Sequence, residues 1–410
     1  ELTLPKYIVS PVAAATPMSP LYPWLRLAIA LLFATIAGVG MWSVAVVLPQ
    51  VQSEFGVARG VASLPYTFTS IGYAIAGLCM GYLADRVGIF MPLMLGTLAL
   101  VLGFVGANFV HSIEQFMILQ ALIGAGSSVA FAPLLADTSL WFTQRRGLAM
   151  SIVASGSYFA GALWSPLVEH FSRTHGWRVT YLGVGIFCIV SLVPLALLLR
   201  RRARTAPVLP QTNGTRSTIV GAHGAPMPGL QLLLMAAAIA CCVAMAMPQA
   251  HLVAYCGDLG YGPARGAQMR SLMLALGIVS RLSFGWISDH IGGFRTLLLS
   301  SLLQGLALLM FVPFNGLVFG LFQGGIVPSY AVIVREYFPA SEAGTRISAV
   351  ITASIFGMAL GGWMSGAIFD WTGSYRAAFL NGIAWNALNL ALAGFLWTRA
   401  KGAQRVLAAA

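Results

Sequence analysis

Charge is what this sequence has least of. Only 8% of its 410 residues are charged, against roughly 25% in ordinary soluble domains. Asp and Glu together number 11, while 58% of the residues are hydrophobic and the mean hydropathy is +0.83. A water-soluble globule is excluded, and so is intrinsic disorder, which needs few apolar residues. Cysteine is also sparse. Cys79, Cys188, Cys241, Cys242 and Cys256 lie inside apolar runs without metal spacing, so neither a disulfide framework nor a metal centre is expected. There is no GxxxxGK[ST] phosphate loop, which argues against direct drive by ATP. No nucleophile–His–acid set stands out, so the chain does not read as an enzyme. No cofactor is implied beyond a proton as coupling ion.

What is present is apolar length. A helix needs about 20 apolar residues to cross a bilayer, and runs of that order fall at 24–48, 59–83, 90–109, 114–138, 147–170, 178–200, 230–256, 265–289, 294–313, 316–337, 343–370 and 375–398. These predict an all-α integral membrane protein with twelve transmembrane helices, numbered here as spans 1–12. The first run starts near Trp24 and is long enough to span, so it does not read as a cleavable signal peptide. The longest polar stretch, 201–229, divides the chain into two six-helix halves, 21–200 and 230–398, flanked by an extension at 1–20 and a tail at 399–410.

The net charge of +12 does not point to nucleic acid, because Lys and Arg sit mostly in short loops. With both termini cytoplasmic, the inner side collects most of them, including Arg26, Arg86, Arg145, Arg146, Arg200, Arg201 and Arg202. The outer side holds Arg59, Arg173, Arg178, Arg265, Arg270 and Arg376. The positive-inside rule therefore places the termini and the 201–229 linker in the cytoplasm, as in a bacterial cytoplasmic (inner) membrane protein. Partners are then the lipid bilayer and a small solute, with the protein a monomer.

The halves resemble each other. Gly81, Asp85 and Gly88 in GYLADRVG align with Gly285, Asp289 and Gly292 in GWISDHIG. Trp141-Phe142 matches Tyr337-Phe338, and the run Thr174 to Arg178 matches Thr372 to Arg376. Such a duplication is expected of major-facilitator transporters. GYLADRVG and GWISDHIG resemble that family's signature between spans 2 and 3 and its repeat. The run from Trp141 through Gly156 to Gly161 resembles the approach to span 5 of monocarboxylate transporters. Gly38-Val-Gly-Met-Trp-Ser-Val, with Leu48-Pro49 and Glu54-Phe-Gly-Val, is similar to their first span. A single Arg in span 8, Arg281, completes the likeness. The family has an acid one turn before that Arg, where Gly277 stands here, and Asp258 is the nearest acid to take that part. The resemblance implies the major facilitator fold and proton-coupled symport of a small monocarboxylate by alternating access. Asp85, Arg86, Asp289, Arg145 and Arg146 are the expected gating residues.

Arg281 is the sharpest candidate. An Arg at helix centre costs about 2.5–3.5 kcal/mol on insertion scales, so it needs a partner or water. Its planar fork suits a carboxylate. Asp258 is expected to accept a proton and to pair with Arg281 when no substrate is bound, although an outer-loop acid or a helix cap accounts for it as well. His251, two turns earlier on the same face, either meets substrate or is a packing histidine. Gln120, Tyr158 and Tyr330 could hydrogen-bond the acid, or glue helices together. Asn381 and Asn389 read as packing in span 12, and Asp137 as a helix-end contact with Arg145 or Arg146. Glycines Gly357, Gly361 and Gly362 in span 11, like Gly156 and Gly161 in span 5, offer close helix approach. With no second cation deep in any span, one Arg favours a monoanion such as lactate, pyruvate or acetate. Rival readings are another organic-anion carrier or antiporter, an exporter of drugs or other amphiphiles, and a non-transporting membrane sensor.

Overall fold

The structure, a computed structural model, describes residues 21–142, 146–201, 229–314, 326–338 and 343–409. Among the described residues the chain is helical, without a strand. The helices are α1 (Tyr22–Ala37), α2 (Val39–Phe55), α3 (Arg59–Val87), α4 (Phe90–Gly106), α5 (Ile113–Ser127), α6 (Ala132–Trp141), α7 (Arg146–His175), α8 (Trp177–Leu198), α9 (Leu230–Asp258), α10 (Gly262–Ile291), α11 (Gly293–Phe314), α12 (Ile326–Tyr337), α13 (Ala343–Thr372) and α14 (Tyr375–Ala409). Ten membrane crossings among the described residues are long and apolar enough. Each expected run coincides with helix where it is described. The first part of span 10, 316–325, lies outside the described residues.

Two runs are broken where the sequence suggested one continuous helix. Span 1 divides into α1 and α2 at Gly38, where a Cβ would stand 2.5 Å from that of Ala160. Span 4 divides at Phe131, between a short 3-10 turn (Ser128–Ala130) and α6, whose first turn carries Pro133. Proline cannot donate to the preceding turn, so the α-helix restarts there. The helices also outrun the apolar stretches. α14 continues to Ala409 through the expected tail, because backbone hydrogen bonding favours helix beyond the hydrocarbon boundary.

Small residues set the closest crossings. Gly357 and Gly361 of α13 lie against α9: a Cβ would stand 2.6 Å from the Ile239 carbonyl oxygen and 2.5 Å from that of Val243. Gly72 on α3 and Gly124 on α5 meet backbone in the same way. In lipid, where helix association rests on packing and hydrogen bonds, such approach substitutes for a hydrophobic driving force. Lipid-facing side chains such as Phe109, Ile118 and Val190 are exposed at about two-thirds of their surface, as expected of a bundle that presents apolar groups outward.

The chain alternates direction, so the turns at 56–58, 176, 259–261 and 373–374 gather at one end, the distal end, opposite the described chain ends. Among the described residues the earlier helices (α1–α8) meet the later ones (α9–α14) chiefly where α3 packs on α13 and α7 on α10, with α2 also touching α9. These crossings position Arg59, Arg270 and Arg281.

Candidate functional site

At the distal end α3 begins without a cap of its own, since Ala58 has no side-chain oxygen. The cap comes from α13. Asp370 accepts from the backbone N–H of Arg59 at 2.8 Å and of Gly60 at 2.5 Å. The Arg59 guanidinium then donates to Asp258, the last residue of α9, at 2.5 Å and to the Tyr375 hydroxyl at 3.1 Å, and lies over the Phe369 ring at 4.4 Å. Closer to the middle, Gly366 touches the α3 backbone, Thr67 donates to the Ala359 carbonyl at 2.9 Å, and Gly362 faces the Tyr66 ring. The distal end is therefore shut by contacts between the two groups of helices. Only an acid one full fold away can cap α3, so the cap exists only while the end is closed.

This arrangement corrects the expected Asp258–Arg281 pair. Asp258 is engaged with Arg59, and Arg281 lies 19 positions along α10 from Gly262, about 28 Å down the axis. His251 is fully buried with both ring nitrogens engaged. Nδ1 lies 3.0 Å from the Tyr375 hydroxyl and Nε2 lies 2.8 Å from the Gly362 carbonyl oxygen. The carbonyl can only accept, so Nε2 carries the hydrogen and Nδ1 accepts from Tyr375. In this state His251 is a strut among α9, α13 and α14 that continues the Arg59–Tyr375 chain inward, and no ring nitrogen is left for a substrate.

Gln120 and Tyr330 are likewise committed to packing. Gln120 accepts from Thr69 and donates to Tyr181, each at 3.1 Å, and Tyr330 donates to Asn389 at 2.8 Å. Asn389 in turn donates to Ser301, and Asn381 is half-buried in α14. Asp137 pairs with Arg26 at 2.8 Å; the expected contact with Arg145 or Arg146 falls on side chains outside the described residues. Arg145 lies outside the described residues, and so do the side chains of Arg146, Asp85 and Asp289. Arg86 is exposed and lies over the Tyr82 ring at 4.4 Å. Gly81 and Gly285 were expected to allow close contact, but a Cβ at either would meet open space. At these two glycines no helix approaches, while the opposite end is closed.

Arg281 and Tyr158, separate candidates from the sequence, are brought together. Arg281 crosses from α10 to α7, donates from Nη1 to the Ala154 carbonyl at 3.0 Å and sits 4.3 Å over the Tyr158 ring. Its Nε has no partner. Part of the donor fork thus remains for a ligand, held by an aromatic face and one carbonyl.

The second deep cation was missed. Arg270, assigned to the outer side from the sequence, is 0% exposed. None of its three guanidinium nitrogens has a hydrogen-bond partner. It lies 5.1 Å from the Trp42 ring of α2, with Tyr66 of α3 within electrostatic reach. A second cation therefore does lie deep in a span, contrary to the expectation from the sequence, and the preference for a monoanion that rested on a single Arg loses that support. Arg270 is eleven positions before Arg281, close to three whole turns and so on the same helix face, but that spacing does not say whether it reaches water or faces inward.

A cleft of about 510 Å³ between α7 and α8 is lined by Trp164, Leu167, Phe171 and Phe187 among others. It is apolar and on the outer surface of the bundle, and it has neither arginine.

Together these features define a membrane-embedded helical bundle of transporter type, with buried cations at the crossings of its two groups of helices. The family model "Major Facilitator Superfamily" matches residues 30–319, and the chain belongs to that superfamily, whose members are transporters and not enzymes. Monocarboxylate transporter 13 of Rattus norvegicus is 26% identical over 362 residues, covering 86% of this chain and 82% of that protein. Monocarboxylate transporter 12-B of Danio rerio is 25% identical over 378 residues, covering 81% and 77%. The Agnestins efflux protein AgnL12 of Paecilomyces divaricatus is 23% identical over 283 residues, covering 66% and 63%. Among solved structures, a bacterial homolog to the human lysosomal transporter Spinster, in its inward-facing and unoccupied conformation, superposes with a TM-score of 0.71. Its identity is 14%, with 94% of this chain and 98% of that chain covered. The resemblance read from the sequence is borne out at the level of family and fold.

Proposed function

We propose that this protein is a secondary carrier of small monocarboxylates of the L-lactate and pyruvate type, moved with a proton by alternating access. The observation that carries the reading is Arg281, held over Tyr158 at the α7–α10 crossing with donors to spare, in a chain whose relatives include proteins named monocarboxylate transporters. A guanidinium offers a carboxylate two parallel charge-assisted hydrogen bonds. With the termini on the cytoplasmic side, the closed distal end is the outer one and the conformation faces inward.

Asp258 keeps a place in the proton cycle, with a different partner from the one expected. A proton on Asp258 removes the charge that holds Arg59, which weakens the outer closure. The outer end then opens, the acid enters, and neutralisation of the buried cation by the carboxylate favours reclosure. Asp85, Arg86, Asp289, Arg145 and Arg146 are assigned to closure of the cytoplasmic end.

The test is uptake of labelled L-lactate into proteoliposomes under an inward proton gradient, with ionophore controls. Uptake that the ionophore collapses and that Arg281→Gln abolishes is expected. Equal uptake by Arg281→Gln would show that the central residue is wrongly assigned. No lactate uptake by folded wild type would remove this substrate. Extrusion of amphiphiles by that same preparation would favour the efflux function for which AgnL12 is named.

A further inference from the structure

We infer that Arg270 is a second anion-binding station, distal to Arg281 on the same face of α10. It takes a small oxyanion, a carboxylate on the reading above, from the outer side before the anion reaches Arg281. The inference shares the ligand class of the reading above and adds a site to it.

A buried guanidinium without partners is costly, and in hydrocarbon it must find an anion, water or an aromatic face. In this structure all three Arg270 nitrogens lack hydrogen bonds, and only the Trp42 face, at 5.1 Å, stands in. No described acid hydrogen-bonds to it. Glu54 pairs with Arg178, Asp137 with Arg26 and Asp258 with Arg59, while Glu169 lies 3.6 Å from the exposed Arg173 and its buried Oε1 makes no hydrogen bond. Asp370 caps α3, and Glu336 accepts from Gly293. Among the described residues no acid supplies the negative charge, and an anion from outside the chain can supply it.

The surroundings suit a carboxylate that arrives and leaves. The Tyr66 hydroxyl, also buried and without a partner, is a second donor on the facing helix. Trp42 is fixed by its indole N–H to the Ser157 carbonyl at 2.8 Å. Trp42 and Tyr66 belong to the earlier helices, and Arg270 to the later ones. Separation of α2 and α3 from α10 removes the aromatic cover and exposes the guanidinium, so the station is loaded when the distal end is open and covered when it is closed. Arg270 and Arg281 are about 16 Å apart along the axis. The two arginines then act in sequence, Arg270 first.

The experiment is thermal unfolding of the full chain in detergent and chloride-free zwitterionic buffer, with pyruvate, benzoate or nitrate added. Without anion, Arg270→Met is expected to unfold at the wild-type temperature or above, because it removes an uncompensated buried charge. In an Arg281→Gln background, anion-induced stabilisation is expected to persist. It is expected to vanish in Arg281→Gln/Arg270→Met, and apparent affinity should fall about tenfold or more in Arg281→Gln/Arg270→Lys, which keeps charge but loses the fork. Stabilisation unchanged by Arg270→Met in that background overturns the inference, as does a lack of response to all three anions. Marked instability of anion-free Arg270→Met would show a structural role and also overturn it. An Arg270-dependent response to nitrate, with none to either carboxylate, would uphold the station and defeat the monocarboxylate reading.

Discussion

Replacing Asp370 with Ala isolates the distal closure. The carboxylate accepts from two backbone N–H groups at the start of α3, at 2.8 and 2.5 Å, from a residue 311 positions away. It does for α3 what Ala58 cannot. Loss of an N-cap costs about 1 kcal/mol, and a carboxylate at a helix N-terminus adds roughly 0.3–1 kcal/mol at an exposed site. Asp370 is exposed, so the total is about 1–2 kcal/mol. The contact exists only in the closed form. Its loss therefore shifts the closed-to-open ratio by a factor of about 5–30. A chain about 99% closed would become open for roughly a tenth of the time after a tenfold shift. Asp370→Asn keeps an acceptor oxygen and should show a smaller change. Spin labels at Ser53 and Leu259, both exposed at the distal end, would report this by pulsed dipolar spectroscopy, with exposed Cys79 replaced by Ser. A longer-distance population is expected to grow from wild type through Asp370→Asn to Asp370→Ala. Superimposable distributions for wild type and Asp370→Ala would refute the claim that this cap contributes to closure.

Other expectations follow from burial and close packing. Asp137→Asn leaves Arg26, 4% exposed, without its carboxylate. Breaking a buried pair costs about 3–5 kcal/mol, so thermal unfolding in detergent should occur well below the wild-type temperature. The Glu54–Arg178 pair is more exposed, 39% and 28%, and such pairs contribute about 0–1 kcal/mol; Glu54→Gln should unfold close to wild type in the same assay. Gly361→Val places a side chain against the Val243 carbonyl, 2.5 Å from where a Cβ would sit. Overpacking of this kind costs about 1–3 kcal/mol, and loss of stability with slowed proteoliposome uptake is expected.

Hydropathy alone determined where the helices lie. It accumulates along the chain, and a run such as 230–256 or 375–398 must be helical in lipid whatever surrounds it, because no water is available for its backbone. The internal repeat and the span-5 motif fixed the family for the same reason: they are local strings. Arg281 was legible too, since a cation inside an apolar run needs a purpose before its neighbours are known. Only the tertiary structure decided which polar groups meet. Arg59 finds Asp258 and Asp370 across 199 and 311 positions, and Arg26 finds Asp137 across 111. No spacing rule carries such pairings, because they depend on how two groups of helices lean together. The same holds for His251, whose two nitrogens are claimed by residues from α13 and α14, and for Arg270. Near the end of an apolar run an arginine can reach water or face inward, and its sequence neighbours are the same either way. The packing of Trp42 and Tyr66 from distant helices turned Arg270 into a buried, unpaired charge.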